Sequence, residues 1–374
     1  MKLNKISLLL SLMIIGLLLP LSASAQLENA SLGGYGELHY NDVVYDENNP
    51  QTPGELDFHR FILFVGYNFN DWISFRSELE LEHTLIEPGE GGEVALEQAY
   101  VDLRIKPTFG VRAGLLLVPV GIINPVHEPP TFNGVERPNV ERNIIPTTWR
   151  ESGIGIYGEA AEGLSYQLYA MAGLDASEIG GTGIRSARQN GFESSTDNFA
   201  VTGRLDYQPT LNLILSGSYF FSDLSTNATF GDAMQGTTFH LGEFHAQYQN
   251  RGFEARLLGV YSFITEIEQL NATFNNGAGE SQYGAYLELG YDLLRLGNLD
   301  TEQQLILFGR GEVYDTQLTT VGLSANPENE RYEYTAGFTY KPAPRVAFKA
   351  DYQILQSAGI KNIHQLNVGV GYNF

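Results

Sequence analysis

The sequence predicts an all-β fold, a transmembrane antiparallel up-and-down β-barrel of about sixteen strands with one long inward-folding loop. Three observations carry this. About sixteen segments alternate apolar and polar residues with a period of two, so each offers one apolar and one wet face. The connections between them alternate between tight turns and longer polar loops, which sorts them to the two ends of a barrel. Beyond the N-terminus no apolar run is long enough for a spanning helix, whereas a tilted spanning strand needs only about 9–11 residues.

The chain opens with an export signal. Lys2 and Lys5 form a positive start, Ile6 to Leu19 is apolar and uncharged, and Ala23-Ser24-Ala25 is an A-x-A site. Residues 1–25 therefore read as a cleavable signal peptide, and 26–374 as one barrel domain beginning at Gln26. The apolar stretch is short for a transmembrane helix and no stop-transfer follows. There is no Cys, which excludes a lipid-anchored N-terminal Cys, disulfides and thiolate metal sites. The net charge of −22 over 374 residues becomes about −24 without the two signal lysines. Such acidity excludes nucleic acid as a partner. With 21 Tyr, 21 Phe and 41 Gly, composition suits a secreted β protein as well as an outer-membrane barrel. Strand spacing separates the two.

In order, the segments fall near 31–40, 55–69, 71–84, 93–106, 109–118, 152–161, 163–173, 197–208, 211–221, 236–249, 252–265, 280–294, 302–314, 330–342, 344–356 and 362–374. Tight connections lie at Asn70, Pro107-Thr108, Glu162, Pro209-Thr210, Asn250-Arg251 and Ala343, with a longer one from Arg295 to Thr301. The remaining connections, 41–54, 85–92, 119–151, 174–196, 222–235, 266–279, 315–329 and a short one at 357–361, are polar. This is a barrel with turns in the periplasm and loops outside, and an even strand count returns both termini to the periplasm. The expected location is the bacterial outer membrane, with lipid around the barrel.

The two faces of each segment agree with this. In 71–84, Ile73, Phe75, Leu79 and Leu81 oppose Arg76, Glu78, Glu80 and Glu82. In 93–106, Ala99, Val101, Leu103 and Ile105 oppose Gln98, Tyr100, Asp102 and Arg104. The pore-lining candidates are Arg76, Glu78, Glu80, Glu82, Asp102, Arg104, Arg112, Arg204, Arg256 and Arg310, with Asp206, Glu254, Glu288, Asp292, Glu312, Lys349 and Asp351 on the same face. Asp102/Arg104, Arg204/Asp206, Glu254/Arg256, Arg310/Glu312 and Lys349/Asp351 are spaced i, i+2 and share a face, so they are expected to pair along the wall. Tyr and Phe gather at segment ends, among them Phe69, Trp72, Tyr207, Tyr219 to Phe221, Tyr248, Phe253, Tyr372 and Phe374, as a lipid–water girdle requires. In 55–69, Asp57, His59 and Arg60 break the alternation, which predicts a bulge.

The connection 119–151 is far longer than the others, and loops of that length are usually functional or disordered. It carries Ile122, Ile123, Phe132, Ile144, Ile145 and Trp149, which want burial, and His127, Glu128, Glu136, Arg137, Glu141, Arg142, Arg150 and Glu151. A barrel of about sixteen strands is too wide for its side chains to fill, so a channel remains, and a loop with apolar anchors and mixed charge can narrow it. The expected constriction residues are Arg137, Arg142 and Arg150, facing anions, with Glu136 and Glu141 opposing them. The competing reading is an extracellular cap packed on other loops or on a second subunit. No catalytic residue, cofactor or metal site is expected. His240 and His245 with Glu243 hint at a metal, but a strand puts His240 and His245 on opposite faces.

The final segment, Leu366 to Phe374, alternates, has Tyr372 two positions before the end and stops on Phe374. It resembles the C-terminal signature of bacterial outer-membrane β-barrels, which implies reading by the barrel-assembly machinery and closure against the first strand. Val111-Arg112-Ala113-Gly114-Leu115 with Val118-Pro119-Val120-Gly121, then Asn133-Gly134, Glu136-Arg137-Pro138 and Trp149-Arg150-Glu151-Ser152-Gly153, resemble the phosphate-selective porin O/P-like family, in particular Bacteroidota-like members. The resemblance implies a sixteen-stranded homotrimeric porin, a passive diffusion channel for small hydrophilic solutes or ions, anions among them. The alternative is a non-transporting barrel, structural, adhesive or lipid-acting. The family's phosphate-selective members use a dense lysine cluster, whereas here only Lys106, Lys341, Lys349 and Lys361 follow the signal. Strand 152–161, with Gly153, Gly155 and Gly158, offers small residues compatible with subunit packing.

Overall fold

The computed structural model describes residues 28–374 apart from 48, 50–52, 86–90, 196, 226–233, 298–300 and 360–361. The signal peptide expected at 1–25, and Lys361, lie outside the described residues. Sixteen strands follow one another: β1 (Ala30–Asp46), β2 (Glu55–Asn68), β3 (Ile73–Glu82), β4 (Glu93–Lys106), β5 (Phe109–Leu117), β6 (Arg150–Ala161), β7 (Leu164–Ala172), β8 (Phe199–Thr210), β9 (Leu213–Asp223), β10 (Thr238–Asn250), β11 (Phe253–Ile264), β12 (Ser281–Asp292), β13 (Gln304–Thr319), β14 (Glu330–Ala343), β15 (Val346–Ser357) and β16 (Asn362–Asn373). Each pairs with its sequence neighbours, and β1 pairs antiparallel with β16 to close the barrel. Closure removes the sheet edges that could not be satisfied in lipid.

β1 extends to Asp46, past the expected end at 40, because polar residues suit a wet lumen. Asn41 lies opposite Asn367 and its Nδ2 donates to Asn367 Oδ1 at 2.8 Å. β13 likewise extends to Thr319. At the seam, Gly34 and Phe374 exchange backbone hydrogen bonds of 3.1 and 2.8 Å, and the Phe374 ring lies 6.3 Å from that of Phe61.

Leu79, Val101, Ile105, Leu257, Phe348 and Val368 are exposed on the outer face, as the alternation requires. Exposed Phe69, Trp72, Tyr207, Tyr248, Phe253 and Phe374 ring the tight-turn end, and Tyr219, Tyr261 and Phe263 the loop end. Phe220 departs from the expected girdle. It is fully buried in the lumen, its ring 4.3 Å from that of Trp149. Among the glycines of β6, Gly155 faces inward. A Cβ on Gly155 would run into the Tyr169 ring, which is buried inside the barrel, so this glycine makes room in the lumen.

The expected wall pairs sort by register. Arg204–Asp206 (2.8 Å) and Arg310–Glu312 (2.8 Å) form along one strand. The others do not. Asp102 takes Arg112 at 3.2 Å, Arg256 takes Glu288 at 3.2 Å, and Glu288 also takes Arg310 at 3.2 Å. All three are directly opposed across neighbouring strands, where Cβ atoms stand about 4.5–5.5 Å apart, against about 6.8 Å at i, i+2. Lys349 does not bond Asp351. Its Nζ lies 3.7 Å from the centre of the Phe132 ring.

The predicted bulge is in β2. Glu37 pairs with Arg60 but His39 pairs with Asp57, so β2 has one residue more than β1 there. The extra residue puts the consecutive His59 and Arg60 both on the lumen side, which regular alternation forbids.

Candidate functional site: the loop-narrowed lumen

The chain leaves β5 through Val118-Pro119-Val120-Gly121. Gly121 has φ of +83°, a conformation that L side chains rarely adopt, and it turns the backbone into the lumen. The Asn124 side chain ties the two loop bases together. Its Nδ2 donates to Val118 O (2.7 Å) and Trp149 O (3.0 Å), and its Oδ1 accepts from Trp149 N (2.6 Å). Farther along, a helical turn at Val140–Asn143 presents Glu141 to the Ile122 and Ile123 amides at 2.8 and 2.7 Å, and Tyr286 Oη donates to the same carboxylate at 2.6 Å.

The loop then ties to much of the barrel wall. Val135 N donates to Asp351 (2.6 Å), Val140 N to Glu312 (3.0 Å), and Asn139 to Glu333 (2.6 Å). Arg204 donates to Gly121 O (2.6 Å), Arg256 to Thr131 O (2.9 Å), and Lys341 to Pro130 O (2.8 Å). His127 Nε2 lies 3.0 Å from Glu97 and 3.4 Å from Glu78, while its Nδ1 faces Asn124 O at 3.1 Å. Burial would depress this imidazole, but the Glu97 charge and the two carboxylate hydrogen bonds raise it to about 10. With acceptors on both nitrogens, it holds both protons.

The apolar anchors go where the sequence demands. Ile122, Ile123, Phe132, Ile144, Ile145 and Trp149 are buried. They share one cluster with Leu174, Ile179 and Ile184 of the next long loop and with wall residues such as Tyr169, Phe220, Phe239, Leu258 and Tyr286. The β7–β13 side of the lumen is therefore packed.

On the opposite side a polar cavity of about 520 Å³ remains. Arg137 and Arg142 of the loop and Arg150 at the start of β6, with Arg185 and Arg188 from the following loop, supply basic lining. Glu37, Glu55, Asp57, Glu80, Glu82 and Glu93, from β1 to β4, supply acidic lining. None of those five arginines forms an ion pair among the described residues. Arg185 donates to Thr147 O, and to Arg142 O at 3.3 Å; Arg188 donates to Pro146 O and Thr148 O, each at 3.1 Å. Burial, then repulsion by Arg188, Arg142 and Arg137, pushes Arg185 down to about 9. Burial and the Arg150 charge push Arg188 to about 10. Glu136 also lines the cavity, 3.3 Å from His39 and 3.0 Å from Asn41 Nδ2. Burial acts to raise its carboxyl, but His39 and Asn41 hold it at about 2.

The expected site residues are thus divided. Arg137, Arg142, Arg150 and Glu136 meet at the cavity, with Glu80 and Glu82. Glu141 does not; it is fully buried and holds the loop's own backbone. Glu78 lies under the loop against His127. Arg204, Arg256 and Arg310 bond loop carbonyls, Asp102 and Arg112 pair with each other, and Arg76 and Arg104 lie toward the tight-turn ends of β3 and β4. Sequence reasoning missed Arg185 and Arg188. Their loop carries Ile179 and Ile184 as burial anchors, the same signal that marked 119–151. It also missed Asp57, His59 and His83 as a group, whose ligand-type atoms all lie within 4.8 Å of one another. His240 and His245 fall on opposite faces as expected. His240 stacks on Phe263 outside at 4.6 Å, and His245 is buried beside Glu243 at 2.7 Å.

Comparison with known proteins agrees with this architecture. Residues 167–374 match the family described as outer membrane protein beta-barrel domain. A protein of Aquifex aeolicus (strain VF5), described as uncharacterized, is 39% identical over 339 residues, covering 87% of this chain and 75% of that protein. Salmonella typhi OmpF, in complex with daunomycin, is similar in structure with a TM-score of 0.61 at 14% identity, covering 92% of this chain and 98% of that one. Pseudomonas putida OprB in its high-pH structure gives 0.61 at 10% identity, covering 94% and 96%. The outer membrane channel DcaP of Acinetobacter baumannii gives 0.57 at 11% identity, covering 92% and 97%. These three likenesses are of fold. Together with the closed barrel and its lipid-suited outer face, the match over 167–374 places the protein in the outer membrane, and the chain belongs to the outer membrane protein beta-barrel domain family.

Proposed function

We propose that the barrel is a porin, a non-catalytic passive diffusion channel for small hydrophilic solutes and ions, with 119–151 as its constriction loop and a local preference for anions. The carrying observation is the polar cavity left beside the inward loop, where five arginines with no ion pair among the described residues face a wall of strand carboxylates interspersed with Arg60 and three histidines. Opposed charges across a narrowing set up a transverse field that orders polar solutes. Buried guanidinium N–H groups without partners, such as Nε of Arg137 and Arg150 among the described residues, favour anionic oxygens. The resemblance of 93–160 to phosphate-selective porins supports the same direction. Lysine chemistry does not add to it, because Lys341 and Lys349 are engaged by Pro130 O and the Phe132 ring. The reading is therefore of weak, arginine-based selectivity rather than a dedicated phosphate route. Export by a cleaved signal, assembly through the C-terminal strand and a homotrimeric state belong to the same proposal.

Purified protein in planar bilayers is expected to show stepwise, salt-dependent conductance. Under a salt gradient, Arg137→Ala and Arg142→Ala are expected to shift the reversal potential toward cations. Arg142 is exposed, so its loss is expected to change stability by no more than about 0.5 kcal/mol. A second reading, a barrel closed by its own loop, is favoured by the apolar packing of one side of the lumen. Absence of conductance in folded protein supports that reading and overturns the first.

A further inference from the structure

His39 on β1, His59 on β2 and His83 just past β3 gather together. The His39 and His59 rings stack at 4.8 Å, and the His59 and His83 rings meet edge-on at 5.8 Å. Asp57 joins two of them, with Oδ2 3.2 Å from His59 Nδ1 and Oδ1 2.9 Å from His83 Nδ1. Asp57, His59 and His83 are partly exposed, at 23–39%, and line the polar cavity.

Two backbone irregularities converge on this group. The β2 bulge turns His59 into the lumen beside Arg60. His83 has φ of +51°, which is uncommon for a residue other than glycine, and its amide donates to His59 O at 3.0 Å. Strained conformations of this kind persist where the surroundings hold them and cluster at binding sites. Here both devices aim an imidazole at one carboxylate.

We propose that Asp57, His59 and His83 form a binding site for a divalent transition-metal cation such as Zn2+ in the wall of the cavity. Two imidazole nitrogens and one carboxylate oxygen are a ligand set that suits zinc, nickel and copper, and that leaves coordination positions open to water or solute. Magnesium and calcium prefer oxygen ligands. Glu55, Glu82 and Glu93 also line the cavity and favour a cation electrostatically. The site stands on geometry alone and does not depend on the barrel conducting.

The test is calorimetric titration of the purified, detergent-solubilised full-length barrel with zinc chloride near neutral pH, beside Asp57→Asn, His83→Ala and, as an outer-face control, His240→Ala. One equivalent is expected to bind to the wild type and to His240→Ala. Binding is expected to weaken by about tenfold or more in each of the other two, since even an outer-shell partner costs that much, while gel mobility shows the barrel folded. Magnesium is expected not to compete. No zinc uptake by the wild type, unchanged uptake in Asp57→Asn and His83→Ala, or equal competition by magnesium would each overturn the proposal.

Discussion

Glu141 shows how one residue can look like pore chemistry and act as scaffold. In sequence it stands beside Arg142 as a counter-charge. In the fold it is fully buried and accepts from two loop amides and a tyrosine. Burial raises its carboxyl to about 7, outweighing the hydrogen bonds from Tyr286 and the two amides. Glu141→Ala would leave the Ile122 and Ile123 amides without acceptors, at a cost of about 1–3 kcal/mol each. Glu141→Gln keeps an oxygen for the amides and a group for the Tyr286 hydroxyl. Loop cleavage by added protease is therefore expected to rise sharply in the Ala variant and to stay near wild type in Gln. Equal protection in all three would refute the scaffold role.

At the scale of the element, the loop is held by a charged histidine. His127 faces Glu97 on β4 and Glu78 on β3, with the Tyr35 ring of β1 edge-on at 6.1 Å and Arg137 donating to its carbonyl at 3.3 Å. Its folded pKa, about 10 against an ordinary 6.5, is raised. By linkage its contribution is fully present below about 6.5 and is lost as pH rises through about 10. The reporter is Trp149, buried in the same loop, once the chain's other tryptophan, Trp72, is replaced by Phe. Trp149 emission is expected to stay blue through neutral pH and shift red above about 10. In His127→Gln that alkaline step is expected to shrink to what Arg185 and Arg188, bonded to Thr147 O and Thr148 O, contribute.

For the whole molecule, the lumen is filled unevenly. An apolar cluster occupies the β7–β13 side and the polar cavity lies against β15, β16 and β1–β4, beside the seam where the barrel closes. That seam ends on the Gly34–Phe374 hydrogen bonds and the Phe61–Phe374 ring contact. Deleting Phe374 removes two backbone bonds and an exposed girdle aromatic. It is expected to slow assembly, read as a larger unfolded fraction by heat-modifiable gel mobility in refolding, while the protein that does fold keeps its secondary structure. Refolding at the wild-type rate would show that closure does not depend on this contact.

Strand number, facing and the β2 bulge were legible in the chain because lipid on one side and water on the other impose a local, period-two pattern on each strand. Leu79 beside Glu78 and Glu80 states its face without reference to any other strand. The apolar anchors of 119–151 likewise announced burial, since Trp149 and Ile144 have no stable place in water. Which wall charges pair was not legible: Asp102 chose Arg112 over Arg104, a matter of register between strands. Nor was the role of Glu141, the addition of Arg185 and Arg188 to the cavity, or the meeting of Asp57, His59 and His83. Each depends on residues far apart in sequence that only closure of the barrel and the inward path of the loop bring within bonding distance.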